Sequence, residues 1–89
     1  MEIEFDPDKE RRNIEKHGVS LARAHDFDWD SAHYEEDVRM VYPERRFVAT
    51  GGLEDRLHVL VYCKRGTATR IINLRRANGR EVKAYASQD

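Results

Sequence analysis

Apolar and polar positions alternate most clearly in the second half of the chain. Leu57-His58-Val59-Leu60-Val61-Tyr62-Cys63 is almost continuously apolar and reads as a central strand. Glu44 to Thr50 precedes it as another strand, with Gly51-Gly52-Leu53-Glu54-Asp55-Arg56 as the turn between them. Lys64-Arg65-Gly66 turns the chain again into a strand from Ala68 to Arg76. Short turns between three consecutive strands predict an antiparallel meander. Strict period-two alternation in the last strand puts Arg70, Ile72, Leu74 and Arg76 on one face, and Ile71, Asn73 and Arg75 on the other.

The N-terminal half alternates less. Glu2-Ile3-Glu4-Phe5 reads as a short strand with Ile3 and Phe5 inward. Asp6-Pro7 is a helix start, because Asp caps and Pro suits the first helical position. The helix runs to about His17 and stops at Gly18, a left-handed C-cap. Its apolar stripe is thin, so Phe5, Ile14 and Val19 are expected to hold it to the core. Ser20 caps a second short helix with Leu21, Ala24 and Phe27 inward, and Trp29 reads as a core plug. From His33 to Tyr42 the pattern fits a loop or a weak strand. Asn78 and Glu81 have capping-box spacing and open a last helix, Gly79 to about Ser87, with Val82, Tyr85 and Ala86 on its packing side. The expected fold class is α+β: a small antiparallel sheet with two N-terminal helices and a C-terminal helix.

Composition narrows the class. The 89 residues are 39% hydrophobic and 37% charged, which fits one small domain, residues 1–89, with a thin core. A single cysteine, Cys63, excludes an internal disulfide and fits a reducing compartment. No signal-peptide pattern or membrane-length apolar run is present, so the expectation is a soluble cytoplasmic protein without membrane partners. Asp26, Asp28 and Asp30 lack the central glycine and terminal glutamate of a calcium loop, so neither a metal nor another cofactor is expected.

Charge changes the picture more. Residues 1–44 hold thirteen Asp/Glu against six Lys/Arg, a balance of −7; residues 45–89 hold four against ten, a balance of +6. Such asymmetry points the second half toward an anion, or toward neutralising the first half within the fold. Arg70, Arg75, Arg76 and Arg80 gather around the last strand-to-helix junction. They read either as a solvated edge or as a phosphate grip. Lys16-His17 sits at a helix C-terminus, where the imidazole either bonds a free carbonyl, the more routine use, or transfers protons near neutral pH.

The residues in their order carry a further signal. Phe5-Asp6-Pro7, Asn13, Lys16-His17-Gly18-Val19, Arg46-Phe47-Val48-Ala49-Thr50-Gly51, Arg56-Leu57, Val59-Leu60-Val61-Tyr62, Arg70-Ile71-Ile72, Arg75-Arg76-Ala77 and Arg80-Glu81 with Tyr85 together resemble the BrnT toxin family of bacterial type II toxin–antitoxin systems. The resemblance implies a RelE-like fold and metal-independent cleavage of RNA. It also implies a BrnA-like antitoxin partner that carries the DNA-binding part. RNA brings its own nucleophile, the 2′-hydroxyl, so such an enzyme aligns it, stabilises phosphate charge and moves protons. On that reading Arg75 stabilises the scissile phosphate, Lys16, Arg46, Arg70, Arg76 and Arg80 hold RNA, and His17, Glu81 or Tyr85 transfers protons. The alternative is a non-catalytic module that binds nucleic acid or a partner through the same arginines. A repressor that binds DNA directly lacks a helix-turn-helix signature.

Overall fold

In a computed structural model of the protein, residues 1–88 are described. The elements are β1 (Glu2–Glu4), α1 (Pro7–His17), a 3-10 helix (Leu21–Asp26), β2 (His33–Glu36), β3 (Arg46–Leu53), β4 (Arg56–Arg65), β5 (Ala68–Arg76) and α2 (Gly79–Ala86). They build one five-stranded sheet of order β1-β5-β4-β3-β2.

This corrects the expected fold class. The meander β3-β4-β5 is antiparallel, and β2 adds antiparallel to β3, but β1 pairs parallel with β5, so the sheet is mixed. The wholly antiparallel sheet expected from the short turns is thus replaced by a mixed one. Three residues of β1 carry too little alternation to specify a partner or a direction. The direction follows from the chain leaving β1 at Asp6-Pro7 into α1, which packs back over β5. The second N-terminal helix is also corrected, because only a six-residue 3-10 helix forms. Ser20 caps it, and Glu10 of α1 takes both the Ser20 hydroxyl (2.6 Å) and the Leu21 N–H (2.7 Å), so its first turn is held by another element.

α1 forms between the Asp6 cap, whose carboxylate accepts from Lys9 N, and Gly18 at φ 71°. The side chain it buries is Asn13, while Ile14 is 46% exposed. Asn13 Nδ2 donates to Leu74 O at 2.7 Å and to Val19 O at 2.8 Å, and Leu74 N donates to Asn13 Oδ1 at 3.2 Å. Its amide thus pairs with β5 beyond the three residues that β1 covers. The core lies on one sheet face: Leu21, Ala24 and Phe27 meet Ala49, Leu53, Leu60, Ile71 and Leu74. Trp29 plugs its margin, edge-on to Phe27 and Tyr62 with Nε1 donating to Ala24 O.

Strict alternation fails in β5. Val61 pairs with Asn73 and Tyr62 with Ile71, so Ile72 is a bulge residue. Ile71 and Leu74 consequently both enter the core, whereas Ile72, Asn73 and Arg75 face the other side. α2 also departs from expectation. Its capping box forms, but Val82 is 46% exposed and no residue of α2 is buried.

Candidate functional site

The sheet face opposite the core is uncovered and forms the floor of a cleft of about 780 Å³. Val48 from β3, Val59 and Val61 from β4, and Ile72 from β5 make an aliphatic floor. Of the side chains singled out above, Lys16, His17, Arg46, Arg75, Glu81 and Tyr85 line it. Four elements bring them together: the C-terminal end of α1, strands β3 and β5, and the first two turns of α2.

Arg70, Arg76 and Arg80 are not part of the lining. Arg70 pairs with Glu4 at 3.5 Å across the β1–β5 edge. Arg76 follows Arg75 in an extended strand and so points to the opposite face, and Arg80 is exposed in the first turn of α2. A four-arginine pocket at the junction does not form.

Arg75 is held in a two-pronged ion pair: Nη1 donates to Glu81 Oε1 and Nη2 to Glu81 Oε2, both at 2.8 Å. Nη1 also reaches Arg76 O at 3.3 Å. The guanidinium has five N–H groups in a fixed fork. The edge carrying Nε–H and the second Nη2–H has no partner among the described residues. Glu81 Oε1 accepts in addition from Asn78 N at 2.9 Å, closing the capping box. Arg75 first, and that backbone N–H with it, holds the Glu81 carboxyl down at about 2. Glu81 is therefore fixed and ionised, and it does not exchange protons near neutrality.

His17 differs. Burial first, then the neighbouring charges of Lys16 and Arg75, push its pKa below the ordinary 6.5. The imidazole is neutral at pH 7 and free to accept a proton. Arg46 lies over Tyr42, its guanidinium carbon 4.3 Å from the ring centroid. Tyr85 donates from its hydroxyl to Ser31 O at 3.1 Å and stacks on His33 at 4.2 Å between centroids.

Sequence reasoning missed His33, Asp37, Arg39, Tyr42 and Asn73 as cleft residues. Four of them fall in or just after β2, the segment read as a loop or weak strand. Arg39 binds Asp37 through Nε and Nη2, each at 2.9 Å, with the Tyr42 hydroxyl donating to the same carboxylate at 3.1 Å. The Arg39 guanidinium holds the Asp37 carboxyl well below the usual carboxylate range. The available signal was Asp37-Val38-Arg39, an opposite-charge pair on one side of an extended segment. Asn73 was legible as the same-face neighbour of Arg75.

The cleft is not uniformly cationic. Lys16, Arg39, Arg46 and Arg75 share it with Glu35, Glu36, Asp37 and Glu81. Among the described residues Lys16 and Arg46 have no carboxylate partner. The two buried side-chain nitrogens without a hydrogen-bond partner there, His33 Nδ1 and Arg46 Nε, both belong to cleft residues. Unsatisfied buried polar atoms are costly, and both of these lie in the cleft wall. No three His, Cys, Asp or Glu side chains among the described residues come together as a ligand set for a metal ion. No helix among them is long and apolar enough to cross a membrane.

A search of curated proteins finds no match. Residues 5–81 match the family described as the ribonuclease toxin BrnT of type II toxin–antitoxin systems, a span that contains every cleft residue named above except Tyr85. The chain, with its cleft of mixed charge on the open face of a mixed sheet, belongs to the BrnT family of ribonuclease toxins.

Proposed function

We propose that this cleft is the ribonuclease active site, and that it cleaves RNA internally without a metal ion. The 2′-oxygen forms a bond to the adjacent phosphorus as the bond from phosphorus to the 5′-oxygen breaks, leaving a 2′,3′-cyclic phosphate and a 5′-hydroxyl. His17, neutral at pH 7, takes the proton of the 2′-hydroxyl. Tyr85 gives a proton to the departing 5′-oxygen, and the proton held by His17 returns to it through water. Arg75 stabilises the charge that builds on the phosphate oxygens, and Lys16 and Arg46 hold flanking phosphates. Arg70, Arg76 and Arg80, away from the lining, contact the strand only beyond the cleft. Glu81 orients Arg75.

The observation that carries this reading is the Arg75 fork. One edge is anchored by Glu81, the other has no partner among the described residues, and the same guanidinium helps keep His17 neutral. A phosphate fits the second edge with two parallel bonds.

RNA is incubated with the purified protein in magnesium-free buffer with chelator, and product ends are mapped. Cyclic-phosphate ends are expected, with losses of about 100-fold or more for Arg75→Ala and for His17→Ala. Unchanged turnover in a folded Arg75→Ala rejects its role, and activity abolished by chelator rejects metal independence. Membership in a toxin–antitoxin family implies an antitoxin partner and an RNA target. We assign the partner to a BrnA-like protein encoded beside the toxin, which is tested by co-expression and co-purification of the two.

A further inference from the structure

The cleft floor does not match a phosphate backbone. Cations suit a polyanion, yet Val48, Val59, Val61 and Ile72 pave the floor between Arg46 and Arg75. The part of an RNA strand that buries flat apolar surface is the base. Asn73 lies beside this pavement. The bulge at Ile72 turns it into the cleft opposite Val61, where it is half-buried. Its side-chain amide, a donor and an acceptor side by side, makes no hydrogen bond among the described residues. One residue, Leu74, separates it from Arg75 on the same face, so the two positions lie roughly 7 Å apart at the rise of a β-strand. A phosphate on Arg75 and its own base over Asn73 are within one nucleotide's reach. The His33–Tyr85 stack supplies an aromatic wall to the same space.

We propose that the cleft contains a nucleobase subsite. One unstacked base next to the scissile phosphate lies on the aliphatic floor, and the Asn73 amide reads its edge. This rests on the active-site reading above and adds base preference to it. Single-stranded RNA is commonly recognised through splayed bases hydrogen-bonded on their edges.

The test separates binding from cleavage. Four 2′-O-methyl tetranucleotides, each of a single base and resistant to 2′-hydroxyl attack, are titrated into wild-type protein, Asn73→Ala and Asn73→Ser, and followed by NMR. Cleavage of unmodified RNA is measured alongside. The expected result is that one base binds about fivefold or more tighter than the weakest, the discrimination typical of one good amide–base contact. Both variants flatten that ranking. Arg75→Ala weakens all four oligonucleotides together and keeps their order. Equal binding of all four, an unchanged ranking in the Asn73 variants, or no binding at all overturns the subsite. Ranked binding that depends on Asn73 without any RNA cleavage upholds the subsite and overturns the catalytic reading instead.

Discussion

The guanidinium of Arg75 and the carboxylate of Glu81 meet edge to edge, with both Nη–Oε distances at 2.8 Å, although one belongs to a strand and the other to the helix that follows. The same carboxylate also accepts the Asn78 N–H, so one side chain closes the helix cap and aims the arginine. Glu81→Gln keeps an oxygen for Asn78 but loses the second prong. Cleavage is expected to fall about tenfold, with the loss in kcat rather than KM. A folded variant with unchanged kcat removes Glu81 from this role.

Acid stability follows from the same pair. The Glu81 carboxyl sits at about 2, below its ordinary 4.5. A depressed carboxyl stabilises the fold above its ordinary value, and that contribution is lost as pH falls from about 4.5 toward 2. The pair is partly exposed, so the contribution is about 1–2 kcal/mol. Denaturant melts at pH 7 and pH 3 should show a smaller acid loss in Glu81→Gln than in wild type.

His17 has the opposite consequence. Its pKa lies below 6.5 through burial, Lys16 and Arg75. The folded state prefers the neutral ring, so stability is intact above 6.5 and declines as pH falls below it. The acid limb of the cleavage profile should have its midpoint below 6.5. Lys16→Ala removes one positive neighbour and should move that midpoint upward, though not fully to 6.5, because burial is the larger cause. An NMR titration of the imidazole checks both.

Asn13 tests the junction of α1 with β5. Asn13→Ala strips partners from Leu74 N–H, Leu74 C=O and Val19 C=O. A loss of about 2–3 kcal/mol is expected in urea unfolding. Ile14→Ala, at a half-exposed position beside it, should cost less than 1 kcal/mol, roughly the scale of a surface change.

Gly51 and Gly52 make a matched pair. A Cβ on Gly51 meets Ala32 Cβ and Phe27 Cζ at 3.0 Å and Asp28 O at 3.2 Å, whereas one on Gly52 meets nothing within 4 Å. Gly51→Ala should lower stability by about 1–3 kcal/mol. Gly52→Ala should be neutral, and equal thermal shifts in the two variants contradict the difference.

Local signals were read correctly where local chemistry decides the outcome. The Asp6 and Asn78 caps, the Gly18 stop and the β3-β4-β5 meander are each specified by residues a few positions apart. The parallel seat of β1, the pairing of β2 and the shortened second helix depend on contacts distant in sequence. Asn13 was inward and Ile14 outward because backbone groups on β5 needed partners more than the core needed another methyl. For the site, His17, Arg46, Arg75 and Glu81 were legible as residue types. Their sorting was not, because neighbouring carboxylates occupy Arg70 and Arg75 and the sheet itself separates Arg75 from Arg76, consecutive residues of β5 on its two faces.

The single extra residue at Ile72 phases two systems at once. Paired strictly, with Ile72 inside the ladder, β5 would carry Ile71 on the same side as Asn73 and Arg75. Either Ile71 would then leave the interior, or a guanidinium would enter among Leu21, Leu60 and Phe27. Removing Ile72 itself closes the ladder with Ile71, Asn73, Leu74 and Arg75 on their present sides and takes only one aliphatic side chain from the cleft floor. Hydrophobic assembly and the cleft therefore share one reading frame along β5, and the bulge is the point that brings them into step.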